Sequence, residues 1–157
     1  MKKKIKYFFL FTIIFVLFFN TDQKSYAAEK VRFMSLKNNK ANVRIGPSKE
    51  YPIKFTYKKK YLPVKILDKS ETWRKVKDLE SNSGWIHVSQ LSKKKTAINI
   101  NYNSLIYKKP TIYSKPIAKL EIGRLVLIKK CKSKWCKIST GNYSGWVLKD
   151  YLWGGGS

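Results

Sequence analysis

Apolar and polar positions divide this chain into two very different stretches. Residues Tyr7 to Phe19 form a run of thirteen that is apolar except for Thr12, preceded by Lys2-Lys-Lys-Ile-Lys6 and followed by polar Asn20 to Ser25. Charged, apolar and polar regions in that order are the pattern of a secretory signal, and small Ser25 and Ala27 put the expected cut between Ala27 and Ala28. Thirteen helical residues at about 1.5 Å each reach roughly 20 Å, short of a hydrocarbon core of about 30 Å, so the run is not read as an uncleaved anchor. Beyond it the pattern changes. Apolar runs become short and β-branched, proline, glycine and asparagine interrupt them every few residues, and no eleven-residue window follows a 3.6-residue period. Short strands separated by tight turns are predicted throughout the remainder.

Those short strands repeat. Val64-Lys-Ile-Leu, five further residues, Trp73 and then Val76 align without a gap on Val126-Leu-Ile-Lys, five residues, Trp135 and Ile138. Each copy goes on to Gly-Trp-aliphatic, as Gly84-Trp85-Ile86 and Gly145-Trp146-Val147, and closes at Leu91 or Leu152. Upstream, Pro47 matches Pro110, and Pro52-Ile53 matches Pro116-Ile117. The predicted organisation is a signal peptide at 1–27, one unit at 34–91, a junction Ser92-Lys-Lys-Lys-Thr96, a second unit at 98–153 and a flexible tail at 154–157. Each unit has fewer than 60 residues, near the lower limit for an independent core. Strands this short gain by closing into a barrel, which removes exposed sheet edges. The expected class is all-β, with two small barrels in tandem.

Composition narrows the function. The 157 residues carry 34 Lys+Arg against 9 Asp+Glu, a formal net charge of +25. Loss of residues 1–27 removes five lysines and Asp22, leaving +21. Such a chain is drawn to anionic surfaces, and the attraction weakens with salt. Thirty of the basic residues are lysine and four are arginine, so the preferred phosphate fork is scarce and dedicated nucleic-acid recognition is not expected. The same lysine, asparagine and isoleucine richness is also what AT-rich codons produce, so genome composition is an alternative source of the charge. Two cysteines and one histidine, His87, cannot form a four-ligand zinc site, and any His-based catalyst would rest on His87 alone. A binding module without cofactors, rather than an enzyme, is the expectation.

Several of these residues resemble the bacterial SH3-like domains of secreted and envelope proteins, in the tandem arrangement of small exported members. In the first copy the resemblance rests on Asn42-Val43-Arg44 with Gly46-Pro47, Tyr51-Pro52-Ile53, Pro63-Val64, Trp73-Arg74-Lys75-Val76 and Gly84-Trp85-Ile86. The second copy carries Ile106-Tyr107, Pro110, Cys131, Trp135-Cys136, Ile138, Gly145-Trp146-Val147 and Leu152-Trp153-Gly154, but has Leu105-Ile-Tyr-Lys-Lys-Pro110 in place of Asn-Val-Arg-x-Gly-Pro. The resemblance spans about residues 34 to 154. It implies five- or six-stranded barrels that bind cell-wall peptides, glycans or protein partners, and implies no catalysis. An exported protein of the periplasm or cell surface follows, with no membrane span once the signal is cut.

For individual residues, packing competes with ligand contact. Cys131 and Cys136 flank a predicted turn and are expected to form a disulfide across it; Lys69 and Arg74 stand at those places in the first copy. Trp85 and Trp146, after a glycine in a late strand, are expected in the core, whereas Trp73 and Trp135 suit packing or ligand contact equally. Tyr51, Tyr57 and Tyr61, in the lysine-rich segment Ser48–Tyr61 read as an open loop, are groove candidates, with Tyr113 their counterpart. Arg44 either pins its loop to a carboxylate such as Glu50 or Asp68, or forks a ligand carboxylate. His87 is expected on a solvated strand face opposite Ile86 and Val88. Lys58-Lys-Lys60 and Lys93-Lys-Lys95 fall at loops within reach of a polyanion. The expected partner is peptidoglycan or its stem peptides, or another exported protein, with anionic envelope polymers attracted by charge.

Overall fold

The computed structural model describes residues 31–155. The expected signal peptide at 1–27 lies outside the described residues. Within them the regular structure is strand, apart from two 3-10 turns. β1 (Arg32–Leu36), β2 (Ala41–Arg44), β3 (Ile53–Tyr57), β4 (Pro63–Ser70), β5 (Trp73–Lys77), β6 (Ser83–His87) and β7 (Leu91–Ser92) form one antiparallel sheet in the order β3-β2-β6-β5-β4-β1-β7. β8 (Thr96–Asn99), β9 (Leu105–Tyr107), β10 (Pro116–Lys119), β11 (Leu125–Lys132), β12 (Trp135–Thr140), β13 (Tyr143–Leu148) and β14 (Leu152–Gly154) repeat that order as β10-β9-β13-β12-β11-β8-β14. The tandem read from sequence is therefore a tandem of folds.

Period-two alternation decides which residues meet inside each sheet. In the first, Leu36, Val43, Tyr57, Val64, Val76, Ile86 and Leu91 share one buried cluster. Strands from both ends of the sheet order, β3 and β7, thus contribute to the same core, so the sheet curls around it as a barrel. In the second, Ile106, Leu120, Val126, Ile138 and Val147 take the matching places, joined by Ala97 and Cys136. Each long strand, β4 and β11, serves neighbours on both sides, and each shifts register at the same place, between Ile66 and Asp68 and between Ile128 and Lys130. An irregularity there lets one strand bend around a core too small for a flat sheet.

Three expectations are corrected. Each sheet has seven strands instead of five or six, because a 3-10 turn (Val88–Gln90, Lys149–Tyr151) delivers a short closing strand, β7 or β14, beside β1 or β8. Gly154, read as tail, is a buried residue of β14 opposite Ala97, at φ 143°, where a side chain would be strained. Segment Ser48–Tyr61 is not an open loop, since Ile53–Tyr57 pairs with β2, Tyr57 lying opposite Ala41. Ile53-Lys-Phe-Thr-Tyr57 alternates apolar and polar residues, but the lysines that flank so short a run, Lys49 and Lys58–Lys60, give the segment the composition of a loop.

The two barrels belong to one compact unit. Phe33 of β1 meets Trp153 of β14 edge to face at 5.1 Å, the Ser35 hydroxyl donates to the Lys94 carbonyl at 2.9 Å, and the Ile128 amide donates to the Lys95 carbonyl at 2.9 Å. The junction is thereby stitched to both barrels and is not a free linker.

Candidate functional site

Outward-facing residues of the middle strands supply the candidate site, one in each barrel. Directly paired residues in an antiparallel sheet share a face. In the first barrel Asp68, Lys75, Trp85 and Arg44 form a row across β4, β5, β6 and β2, with Trp73 and His87 paired in the next row. In the second, Lys130, Lys137, Trp146 and Tyr107 form the equivalent row, with Trp135 opposite Leu148. The other face of these strands presents Val43, Val76, Gly84 and Ile86, or their counterparts, to the core.

Trp85 and Trp146 therefore correct the sequence reading. They are half-buried residues of the outer face, and the glycine before each is the core-facing residue. The glycines are required by closeness. A Cβ on Gly84 would lie 2.5 Å from Val43 Cγ1 and 2.8 Å from the Arg44 carbonyl oxygen, and one on Gly145 would lie 2.6 Å from both Ile106 Cγ2 and the Tyr107 carbonyl oxygen. Glycine brings the neighbouring strand close, and the tryptophan lands outside by alternation.

Rings on the outer face are ordered by contact. Trp73 is buried, and His87, expected in solvent, is half-buried with its ring 5.3 Å from Trp73 in a T-shaped arrangement. His87 Nδ1 lies 2.8 Å from the Ser89 hydroxyl. In the second barrel Trp135 is half-buried and meets Tyr107 edge to face at 5.5 Å, while Lys130 Nζ stands 5.8 Å from the Trp146 ring centre. In the second barrel such contacts hold half-buried rings in place without hiding them, whereas Trp73 of the first barrel is covered.

Arg44 is half-buried and donates from Nη1 to the Tyr51 carbonyl oxygen. Its loop is pinned to a carbonyl, not to Glu50 or Asp68, and the Tyr51 ring lies where a Cβ on Gly46 would collide with it. Among the described residues the one ion pair is Arg124–Glu121 at 2.6 Å, on the surface. Tyr113 is 93% exposed in the β9–β10 loop. The Cys131–Cys136 disulfide is present, the two residues facing each other across β11 and β12 beside Trp135.

Two tyrosines leave the site. Tyr57 belongs to the core, its hydroxyl donating to Asp78 Oδ2 at 3.0 Å, and Asp78 also accepts from the Asn82 amide at 2.8 Å and its side chain at 3.0 Å. Burial first, then the Asp78 and Glu80 carboxylates, push the Tyr57 phenol well above its ordinary range. Tyr61 sits at the seam between barrels, with Lys94 Nζ 4.6 Å and Lys60 Nζ 5.2 Å from its ring centre, facing a cleft lined by Leu125–Leu127 and Ser139–Gly141. Of the seven candidates, the structure groups Arg44, Tyr51 and Trp73 on one barrel and Trp135 on the other. Sequence reasoning missed Tyr107 and the outward Trp85 and Trp146; the Arg44-to-Tyr107 alignment held the signal for the first.

Set beside known proteins, the sequence matches the bacterial SH3 domain profile twice, over residues 37–93 and 103–154. The chain belongs to the bacterial SH3 domain family. Each match contains one of the two SH3 faces just described. No curated protein matches it significantly. Among solved structures, NlpC2 from Trichomonas vaginalis is similar over 78% of this chain and 48% of its own, at 17% identity and TM-score 0.36. An NlpC/P60 family protein from Bacillus cereus covers 78% and 56%, at 12% identity and TM-score 0.35, and a putative autolysin from Listeria monocytogenes covers 78% and 62%, at 12% and 0.33. The chain spans about half the length of the first of these, and under two thirds of each.

Proposed function

We propose that the protein is an exported, non-catalytic binding module of the cell envelope that recognises peptidoglycan or its stem peptides through the outer aromatic faces of its two SH3 barrels. One observation carries this reading. Trp85 and Trp146 recur at equivalent places, yet both point away from the cores that the repeat otherwise serves. A large ring kept outward twice suits contact with an extended peptide or a sugar face. The resemblance to envelope SH3-like domains supplies the class of partner. The positive charge concentrates the protein near anionic polymer, and the faces provide shape.

A second reading, a protein-protein adaptor of the envelope, is favoured by Ile112 and Tyr113, exposed at 60% and 93% in one loop of the second barrel. Co-sedimentation with purified peptidoglycan separates the two. The wall reading expects a chain beginning at Ala28 to pellet with peptidoglycan and expects Tyr107→Ala to weaken that by about tenfold, equivalent to about 1.4 kcal/mol. Failure to pellet, with a specific exported protein co-purifying through Tyr113, would establish the adaptor instead.

A further inference from the structure

The β11–β12 hairpin of the second barrel carries Lys129, Lys130, Lys132, Lys134 and Lys137 and no acid, a charge of +5 over residues 129–137. The structurally equivalent hairpin of the first barrel, residues 67–75, sets Lys69, Arg74 and Lys75 against Asp68 and Glu71, a charge of +1. Both hairpins are encoded in one gene, so codon bias cannot account for the difference between them. Pairing sharpens it: Lys75 faces Asp68 across the strands, whereas Lys137 faces Lys130. Like charges directly opposite each other are destabilising. The fold does not need the pair, since the first barrel forms without it.

We infer that this hairpin is a docking surface for a flexible linear polyanion of repeated phosphate groups. Alternation and register put Lys130, Lys132 and Lys137 on the same outer face as Trp135 and Trp146, so cations and half-buried rings alternate over one surface. Lysines act as point charges toward phosphates spaced along a flexible strand, and a polymer bridging them relieves the Lys130–Lys137 repulsion. A bilayer is the poorer occupant. None of the exposed large apolar residues among those described lies on the hairpin, so nothing there is poised to insert into lipid. The hairpin continues the outer face that carries Trp146, so this inference rests on the wall-binding reading's assignment of that face and deepens it by adding a second ligand class there.

The test uses inorganic polyphosphate as the probe and the chain beginning at Ala28, with affinity measured from low to physiological salt. Lys130→Gln/Lys132→Gln/Lys137→Gln is compared with Lys58→Gln/Lys59→Gln/Lys60→Gln, which removes the same charge from the first barrel. The hairpin variant should lose about tenfold or more in affinity and flatten the salt dependence by about two units of slope, with the control changing less than about threefold. Equal loss in both variants, or none in either, overturns the inference in favour of diffuse attraction. On the unaltered protein, which needs no variant to fold, polyphosphate should shift the indole N–H resonances of Trp135 and Trp146 before that of Trp85. Equal response of Trp85, or equally tight binding to anionic phospholipid vesicles, also overturns it. Neither result depends on whether the protein pellets with peptidoglycan.

Discussion

Two barrels of one topology meet the same structural demands with different residues. Both need glycine where β6 or β13 crosses its neighbour, both place valine or isoleucine at the four central core positions, and both bend the long strand at one place. They part where the fold leaves a choice. At the start of β2, second from the edge of its sheet, the first barrel pairs Ala41 with Tyr57 and ties that phenol to Asp78, which caps a five-residue turn through Asn82. The second has Ser104 beside Leu120 and closes its turn between Thr140 and Tyr143 with two residues, Gly141 taking the positive φ that the tight hairpin requires. Its buried polar group is instead Asn99, whose side chain donates to the Leu120 carbonyl at 2.9 Å and accepts from Ser104 Oγ at 2.6 Å. Shared features thus report the fold. Features found in one copy report local solutions and, on the proposed reading, ligand chemistry: Arg44 against Tyr107, an open hairpin against a disulfide-closed one, +1 against +5.

Gly84→Ala and Gly145→Ala should each destabilise their barrel by about 3 kcal/mol, because the added methyl meets a carbonyl oxygen of the neighbouring strand. Urea unfolding of the two variants should give similar losses, and a tolerated alanine at either site would show that the copies do not share this constraint. Asp78→Ala should cost about 2 to 3 kcal/mol, since it strands the buried Tyr57 hydroxyl and the turn amide of Asn82. The matching Thr140→Ala in the second barrel should cost well under half as much.

Replacing both Cys131 and Cys136 by alanine should lower the stability of the second barrel by about 2 kcal/mol, the amount that closing so short a loop contributes. Trp135 fluorescence should change with it while barrel one stays folded. The smallest effect concerns pH. Folding raises the Tyr57 phenol above its unfolded value of about 10, so its contribution is complete below about pH 10 and is lost as pH rises beyond it. Alkaline denaturation should be blunted by Tyr57→Phe and unaffected by changes at Leu120.

Much of this was legible in residues alone. The repeat, its strands and the cross-hairpin disulfide followed from spacing, because Val, Trp and Gly recur at intervals that only a repeated register produces. The sidedness of the tryptophans did not. Reading Gly84-Trp85 as glycine followed by a core ring overlooked that the glycine itself occupies the inward position, which becomes visible only when Val43 and the Arg44 carbonyl are seen against it. Tyr57 and Tyr61 were misplaced for a related reason. Lysines flanking the short strand at 53–57 give Ser48–Tyr61 the composition of a loop, which conceals that Tyr57 points inward at Asp78, while Tyr61 meets Lys94, distant in sequence, at the seam. Contacts between distant segments of chain carry no local signature.

On the proposed reading, shaped aromatic faces and not net charge alone hold this protein to the envelope. Co-sedimentation of the chain beginning at Ala28 with purified peptidoglycan, at low salt and again at about half-molar salt where the Debye length falls to roughly 4 to 5 Å, tests it most directly. Binding that persists at high salt and weakens on Tyr107→Ala is the expected result. Binding that disappears at high salt, with Tyr107→Ala indistinguishable from the parent, would contradict it.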